Sequence, residues 1–193
     1  MVNEIQGTWM QKSIQKKIKK KCNLEEKRMS ALINENLITL HLDAANKEEV
    51  LVKLAELIQN DKKLNCIWKE KELENCQKCD FCHTEGFIAA LKEREESYPT
   101  SVGYSFAIPH GKCSSVSESG IAFARLTNEI EWDEDEEVKY VFMIAVSEEN
   151  ATNEHLEILI KLSKSILDDE FREKLEKTDS KSEILNLLNK YTA

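Results

Sequence analysis

His110 lies in the run "SFAIPHGK", residues 105–112, between Pro109 and Gly111. The chain holds only two prolines and five glycines, so one of each around a single histidine is a marked concentration. Pro109 fixes its own φ and biases Ile108 toward extended geometry. Gly111 lets the backbone turn or approach another group closely. Together they predict a short apolar strand that ends with His110 held in a defined pose at its edge. An imidazole in such a place is a nucleophile or a proton acceptor near neutral pH. A turn with an incidental histidine fits the same local physics.

Two further residues suit the same chemistry. His155 falls one turn into a predicted helix that Thr152 or Asn153 can cap, just after the most apolar strand of the chain. Ligands in open α/β sheets collect beyond the carboxyl ends of strands, and helix N-termini favour anions. His155 shares a helical face with Leu159, Leu162 and Ile166, which also suits a histidine satisfied within the core. Arg94 follows Phe87 by seven residues and Leu91 by three, so it continues the apolar stripe of its helix. A cation there must snorkel, pair or face a bound anion, although its place in the last turn also suits the helix dipole. The three residues together outline a pocket for a phosphoryl group.

The six cysteines raise a different possibility. Cys76, Cys79, Cys82 and His83 in "CQKCDFCH" have the tight spacing of zinc ligands. A structural zinc site usually takes its ligand pairs from two separated loops, however, and only Cys66 lies upstream. The expectation is free thiols on a solvent-facing excursion, with no metal and no cofactor assigned.

These residues need elements to position them. "LITLHLD" (37–43) predicts a strand, followed by a helix capped by Asn46 and Glu49 with Val50, Leu51, Leu54, Leu57 and Ile58 on its inner face. A polar, cysteine-rich stretch occupies about 61–83. Thr84 can cap a second helix that turns Phe87, Ala90 and Leu91 inward. "GIAFARL" (120–126) and "VKYVFMIAV" (138–146) are nearly continuous apolar runs, as in central strands covered on both faces. The acidic stretch "EIEWDEDEE" reads as the loop between them. Helices are predicted over 153–167, about 169–177 and 181–190. The fold class is α/β, a three-layer mixed β-sheet flanked by helices on both faces. Residues 30–193 form the domain. Residues 1–29 are a basic extension, helical or disordered, with six lysines between Lys12 and Lys21.

A net charge of −9 argues against general nucleic-acid binding. No run approaches the ~18 apolar residues of a membrane span, and no secretory h-region opens the chain. A soluble cytoplasmic protein without direct membrane insertion is the expectation.

"EREESYPTSVGYSFAIPHGK" resembles the active-site segment of the enzyme IIA component of the bacterial phosphoenolpyruvate-dependent sugar phosphotransferase system, fructose/mannitol (type 2) family. "EHLEILIKLSK" is similar to that family's second motif. "EWDEDEEVKYVFMIAVSEE" and "DDEFREKLEK" resemble the stretch between the motifs and the C-terminal helices. The resemblance covers about residues 30–190. It implies that His110 is the phosphorylated histidine, with Arg94 stabilising phosphoryl charge and His155 donating a hydrogen bond to the phosphoryl group. Ser101 and Ser105 stand where relatives usually carry glycine, and Phe106 stands where an aliphatic residue is more common. The acidic loop around Asp133 to Glu137 is shorter than usual, and the connection with Cys66, Cys76, Cys79 and Cys82 is longer.

The resemblance further implies a phosphotransferase with a phosphohistidine intermediate. The phosphocarrier HPr would donate to His110, and a cysteine of enzyme IIB would accept for sugar uptake. Such transfer is mostly positioning and charge stabilisation and needs no metal. An alternative is a regulatory phosphoacceptor, related to nitrogen-regulation or transcription-regulator domains, without a transport role.

Overall fold

Asn34 caps a single 3-10 turn, Glu35–Leu37, and the chain then extends as β1, Ile38–Leu42. The computed structural model describes residues 32–61, 63–64, 79–147 and 154–192, with the side chains of 79–85, 154–155 and 192 outside the description. The basic extension and the stretch holding Cys66 and Cys76 therefore lie outside the described residues. Helix α1, Lys47–Asn60, starts where the sequence places it: Asn46 accepts from the Glu49 amide. Glu49 reaches back to the amide of Ala45 at 2.8 Å rather than to that of Asn46. Val50, Leu51, Leu54 and Ile58 are buried, and Leu57 packs partly buried against them.

Helix α2, Cys79–Ser97, begins earlier than predicted. Thr84 is interior to it rather than its cap, so Cys79, Cys82 and His83 belong to its first turns and not to an open excursion. Phe87 and Leu91 are fully buried, and Ala90 is half-buried.

The sheet is mixed. Strand β1 pairs in parallel with β4, Gly120–Asp133, which pairs antiparallel with β5, Glu136–Ser147. Both β2, Phe106–Ala107, and β3, His110–Cys113, pair in parallel with β5. Phe106 opposite Tyr140 and His110 opposite Ile144 keep one register across the gap. The predicted strand does not end at His110. It breaks at Ile108–Pro109, where proline has no N–H for the ladder, and His110 opens its second half.

Side-chain alternation assigns the two faces of the sheet. Gly111, opposite Ala145, lies beneath Phe87 and Leu91 of α2. A β-carbon on Gly111 would stand 3.3 Å from Phe87 Cε2, so any other residue there would push the Phe87 ring back by a few tenths of an ångström. Tyr140 and Phe142 point to the opposite face, where Phe106 stacks on both with ring centroids 4.7 and 6.2 Å apart. That stack accommodates the aromatic residue at position 106.

The acidic stretch 129–137 is not a loop. Strand β4 runs to Asp133 and β5 resumes at Glu136, so the residues form the tip of a hairpin. Ile130 and Trp132 are buried while Glu131 and Asp133 are exposed, a period-2 pattern that the charges mask.

Helices α3, Glu154–Leu167, α4, Asp169–Lys177, and α5, Lys181–Thr192, follow the predicted spans closely. Asp168 caps α4 by accepting from the Phe171 amide at 2.9 Å. Arg125 of β4, on the same face as its partner Tyr140, donates to the carbonyls of Leu175, Glu176 and Thr178 at the end of α4. Helices therefore cover both faces of the sheet.

Candidate functional site

The segment before His110 is shaped by backbone torsion. Gly103, Tyr104 and Ser105 all have positive φ, at 80°, 54° and 61°. The turn closes through Val102 N–H to Phe106 O at 2.9 Å and Phe106 N–H to Gly103 O at 3.0 Å. Ser105 thus takes the backbone that glycine takes most easily. Ser101 forms a single bridge with Ala107 and is not among the positive-φ residues. The Tyr104 ring lies 4.1 Å from the Arg172 guanidinium, which ties the turn to α4.

Beyond that turn, His110 is held by both ring nitrogens. Arg94 Nε donates to its Nε2 at 3.1 Å, and its Nδ1 lies 2.8 Å from the Ile108 carbonyl oxygen. Only one neutral tautomer satisfies both contacts: Nδ1 carries the proton and donates it, while Nε2 presents its lone pair. Partial burial pushes the imidazole pKa below its ordinary value, and the Arg94 charge pushes in the same direction. The bond to the Ile108 carbonyl and the charge of Glu95 oppose the shift without reversing it. A neutral ring with a bare nitrogen beside a guanidinium can attack an electrophile that brings negative charge to that guanidinium.

Arg94 is anchored at the same time. Its Nη1 donates to the Tyr98 carbonyl at 2.7 Å, just past the end of α2. The dipole explanation therefore holds for this side chain, which caps its own helix while its Nε faces His110.

The structure brings Arg94 and His110 together across sixteen residues of sequence. His155 is the second residue of α3, but its side chain lies outside the described residues. The same holds for Cys79, Cys82 and His83, and Cys76 falls outside altogether. Among the described residues no group of three or more histidines, cysteines, aspartates or glutamates could hold a metal ion. Nor is any described helix long and apolar enough to cross a membrane. Sequence reasoning missed the carbonyls of Ile108 and Tyr98, because backbone acceptors carry no residue signature. It also passed over buried Glu95.

The family model described as "Phosphoenolpyruvate-dependent sugar phosphotransferase system, EIIA 2" matches residues 31–191. The chain is 28% identical over 166 residues to the PTS system fructose-specific EIIABC component of Bacillus subtilis, covering 85% of this chain and 23% of that protein. It therefore spans less than a quarter of that relative's length. Among solved structures, the nitrogen regulatory protein IIA-Ntr of Neisseria meningitidis matches with a TM-score of 0.63 at 27% identity, over 80% of this chain and 94% of that one. The mannitol enzyme IIA of Escherichia coli, in a complex with phosphorylated mannitol enzyme IIB, matches with a TM-score of 0.61 at 25% identity, over 81% and 96%.

Proposed function

Because the chain belongs to the EIIA 2 family of the phosphoenolpyruvate-dependent sugar phosphotransferase system, whose members are phosphocarrier components, we propose that His110 is its phosphoryl acceptor, loaded by phospho-HPr and unloaded onto a cysteine of enzyme IIB. The observation that carries this reading is the Arg94–His110 contact: a neutral imidazole whose lone-pair nitrogen faces a fixed cation.

The step balances without a metal. The Nε2 lone pair forms the new N–P bond as the N–P bond of the donor phosphohistidine breaks, and the bonding pair stays on the donor nitrogen. Negative charge spread over the phosphoryl oxygens is met by Arg94, whose donors move from imidazole to oxygen. The His110 ring, still protonated on Nδ1, gains positive charge that the Ile108 carbonyl is placed to stabilise. The family resemblance gives His155, the second residue of α3, the part of a further hydrogen-bond donor to the phosphoryl group. Transfer to the IIB thiolate reverses these movements, and the whole relay runs in the cytoplasm.

Incubation with phosphoenolpyruvate, enzyme I and HPr tests the reading. One acid-labile, base-stable phosphate per chain is expected, lost in a folded His110→Ala variant. Wild-type uptake by that variant would overturn the assignment. A second reading, a regulatory phosphoacceptor without a transport role, is favoured by the similarity to the nitrogen regulatory IIA-Ntr. The two readings part at the next step. A transport component passes its phosphate to a purified enzyme IIB within seconds, whereas a regulatory one retains it.

A further inference from the structure

Glu95 follows Arg94 in sequence but turns into the interior, where it is 6% exposed. A carboxylate at that depth needs compensation from donors and opposite charge. Thr100 supplies two donors, its amide to Oε2 at 3.3 Å and its hydroxyl to Oε1. Lys47, the first residue of α1, brings its ammonium to 3.5 Å from Oε2 and also donates to the Trp132 carbonyl at 2.8 Å. Thr100 is itself 4% exposed.

The contacts do not stop at Thr100. Its carbonyl accepts the Ile108 amide at 2.9 Å, and the Ile108 carbonyl accepts the His110 Nδ1 proton at 2.8 Å. A continuous series of polar contacts thus runs from Lys47 through Glu95, Thr100 and Ile108 to the imidazole. The Ile108 amide points away from β5 to make its part of this series, at the place where Pro109 interrupts the ladder. The interruption and the buried carboxylate are two ends of one arrangement.

We propose that Glu95 and Thr100 are positioning residues for His110: they clamp residues 100–108 so that the Ile108 carbonyl keeps Nδ1 protonated and leaves Nε2 as the attacking nitrogen. This rests on the reading of His110 as the phosphoryl acceptor. Stability alone gives a weak reason for the arrangement, because a buried ion pair is often no more stable than apolar residues of the same volume. Tautomer control gives a specific one. An imidazole that loses its Nδ1 acceptor keeps only the Arg94 donor to select its tautomer, so the Nε2-protonated form gains population, and only the Nδ1-protonated form can use Nε2 as the nucleophile. The Glu95 charge also favours the ring as it becomes positive on phosphorylation.

The test uses the full chain, labelled with nitrogen-15. Long-range proton–nitrogen spectra show which His110 nitrogen carries the proton, and single-turnover phosphorylation from phospho-HPr gives the rate. Wild type shows the Nδ1-protonated form. Thr100→Val and Glu95→Gln give a mixture of tautomers and slow phosphorylation about tenfold or more, the usual range for removing a group that orients a reacting one. Thr100→Ser, which keeps both donors, restores most of the rate and the single tautomer. Leu188→Ala, in the core of α5, lowers the melting temperature and moves neither readout. A folded Glu95→Gln or Thr100→Val protein with wild-type tautomer and rate overturns the proposal. If Glu95→Gln fails to fold, Thr100→Val decides it. If wild-type protein takes up no phosphate, the phosphoacceptor reading fails, and the tautomer spectra still decide whether Glu95 and Thr100 position His110.

Discussion

Arg94 Nε lies 3.1 Å from His110 Nε2, so the lone pair of the resting imidazole already faces a fixed positive charge. On the phosphoacceptor reading, an incoming phosphoryl group would take over that donor, making the contact stronger in the transition state than before it. Arg94→Ala should therefore slow phosphorylation by about 10²-fold or more. The His110 pKa should rise in the same variant, because the Arg94 charge helps to depress it. Arg94→Lys should recover only part of the rate, since an ammonium cannot span imidazole and carbonyl with a planar fork. Single-turnover rates and a ring titration check both effects, and an unchanged rate in Arg94→Ala would remove the residue from the chemistry.

The depressed pKa of His110 sets a pH dependence. Burial is its main cause, so the folded state binds the proton less readily than the unfolded chain does. The unfolded chain then holds more protons between the depressed value and 6.5, and stability rises with pH through that window. The contribution is complete above 6.5 and is lost as pH falls through the folded pKa. Phosphorylation should follow the neutral ring, with an acid limb whose midpoint lies below 6.5. A midpoint above 6.5 in the rate profile would contradict the burial and charge argument.

The backbone around Gly103 and Ser105 gives opposite expectations for two substitutions. Ser105 has φ 61°, where a β-carbon costs about 1–2 kcal/mol. Ser105→Gly removes that strain but adds freedom to the unfolded chain, for a net gain of about 0.5–1 kcal/mol. Gly103 has φ 80° with open space around it, so Gly103→Ala meets a torsional cost partly offset by the freedom the unfolded chain loses, for a net loss of about 0.5–1 kcal/mol. Denaturant midpoints measure both. A destabilised Ser105→Gly protein would mean that its hydroxyl contact with Glu129, at 3.4 Å, outweighs the torsion.

Much of this arrangement could be read from residue spacing. The stripe of Val50, Leu51, Leu54 and Ile58 gave α1 its buried face, and the apolar runs gave β4 and β5 their central places. Arg94 was legible as a charge three residues after Leu91 and seven after Phe87, continuing their stripe. The hairpin at 129–137 was hidden because acidic side chains on the solvent face outweigh Ile130 and Trp132 in any local average. The start of α2 was hidden because cysteine and a capping threonine both resemble a loop boundary. Glu95 was hidden for another reason: its partners, Lys47 and Thr100, come from elements whose meeting the sequence does not show. A register that continues across Ile108–Pro109 is equally a property of the pairing with β5.

Arg125 is a buried cation with a structural task. Its side chain, 8% exposed, joins the Leu40 carbonyl of β1 to the carbonyls that end α4 and to the carboxylate of Asp179. Arg125→Met keeps the stem but leaves those carbonyls without donors, at a cost of about 3 kcal/mol. Arg125→Lys should rescue little, because one ammonium cannot reach acceptors on both sides. Transfer per folded molecule should be unchanged in both. A loss of rate without a loss of melting temperature would show that this side chain communicates with His110.

His155 should behave in the opposite way. As the second residue of α3 it stands where amides favour an anion. If it orients the phosphoryl group for departure, His155→Ala still loads His110, because the nucleophile and Arg94 are intact. Onward transfer to enzyme IIB then slows by about 10-fold or more, the scale of one lost charge-assisted contact. A histidine that only satisfies the core predicts a loss of about 1–3 kcal/mol in stability with the rate per folded molecule preserved. Melting temperature measured beside single-turnover transfer in both directions separates the two outcomes. Unimpaired transfer in a destabilised variant would take His155 out of the site and leave the phosphoryl charge to Arg94.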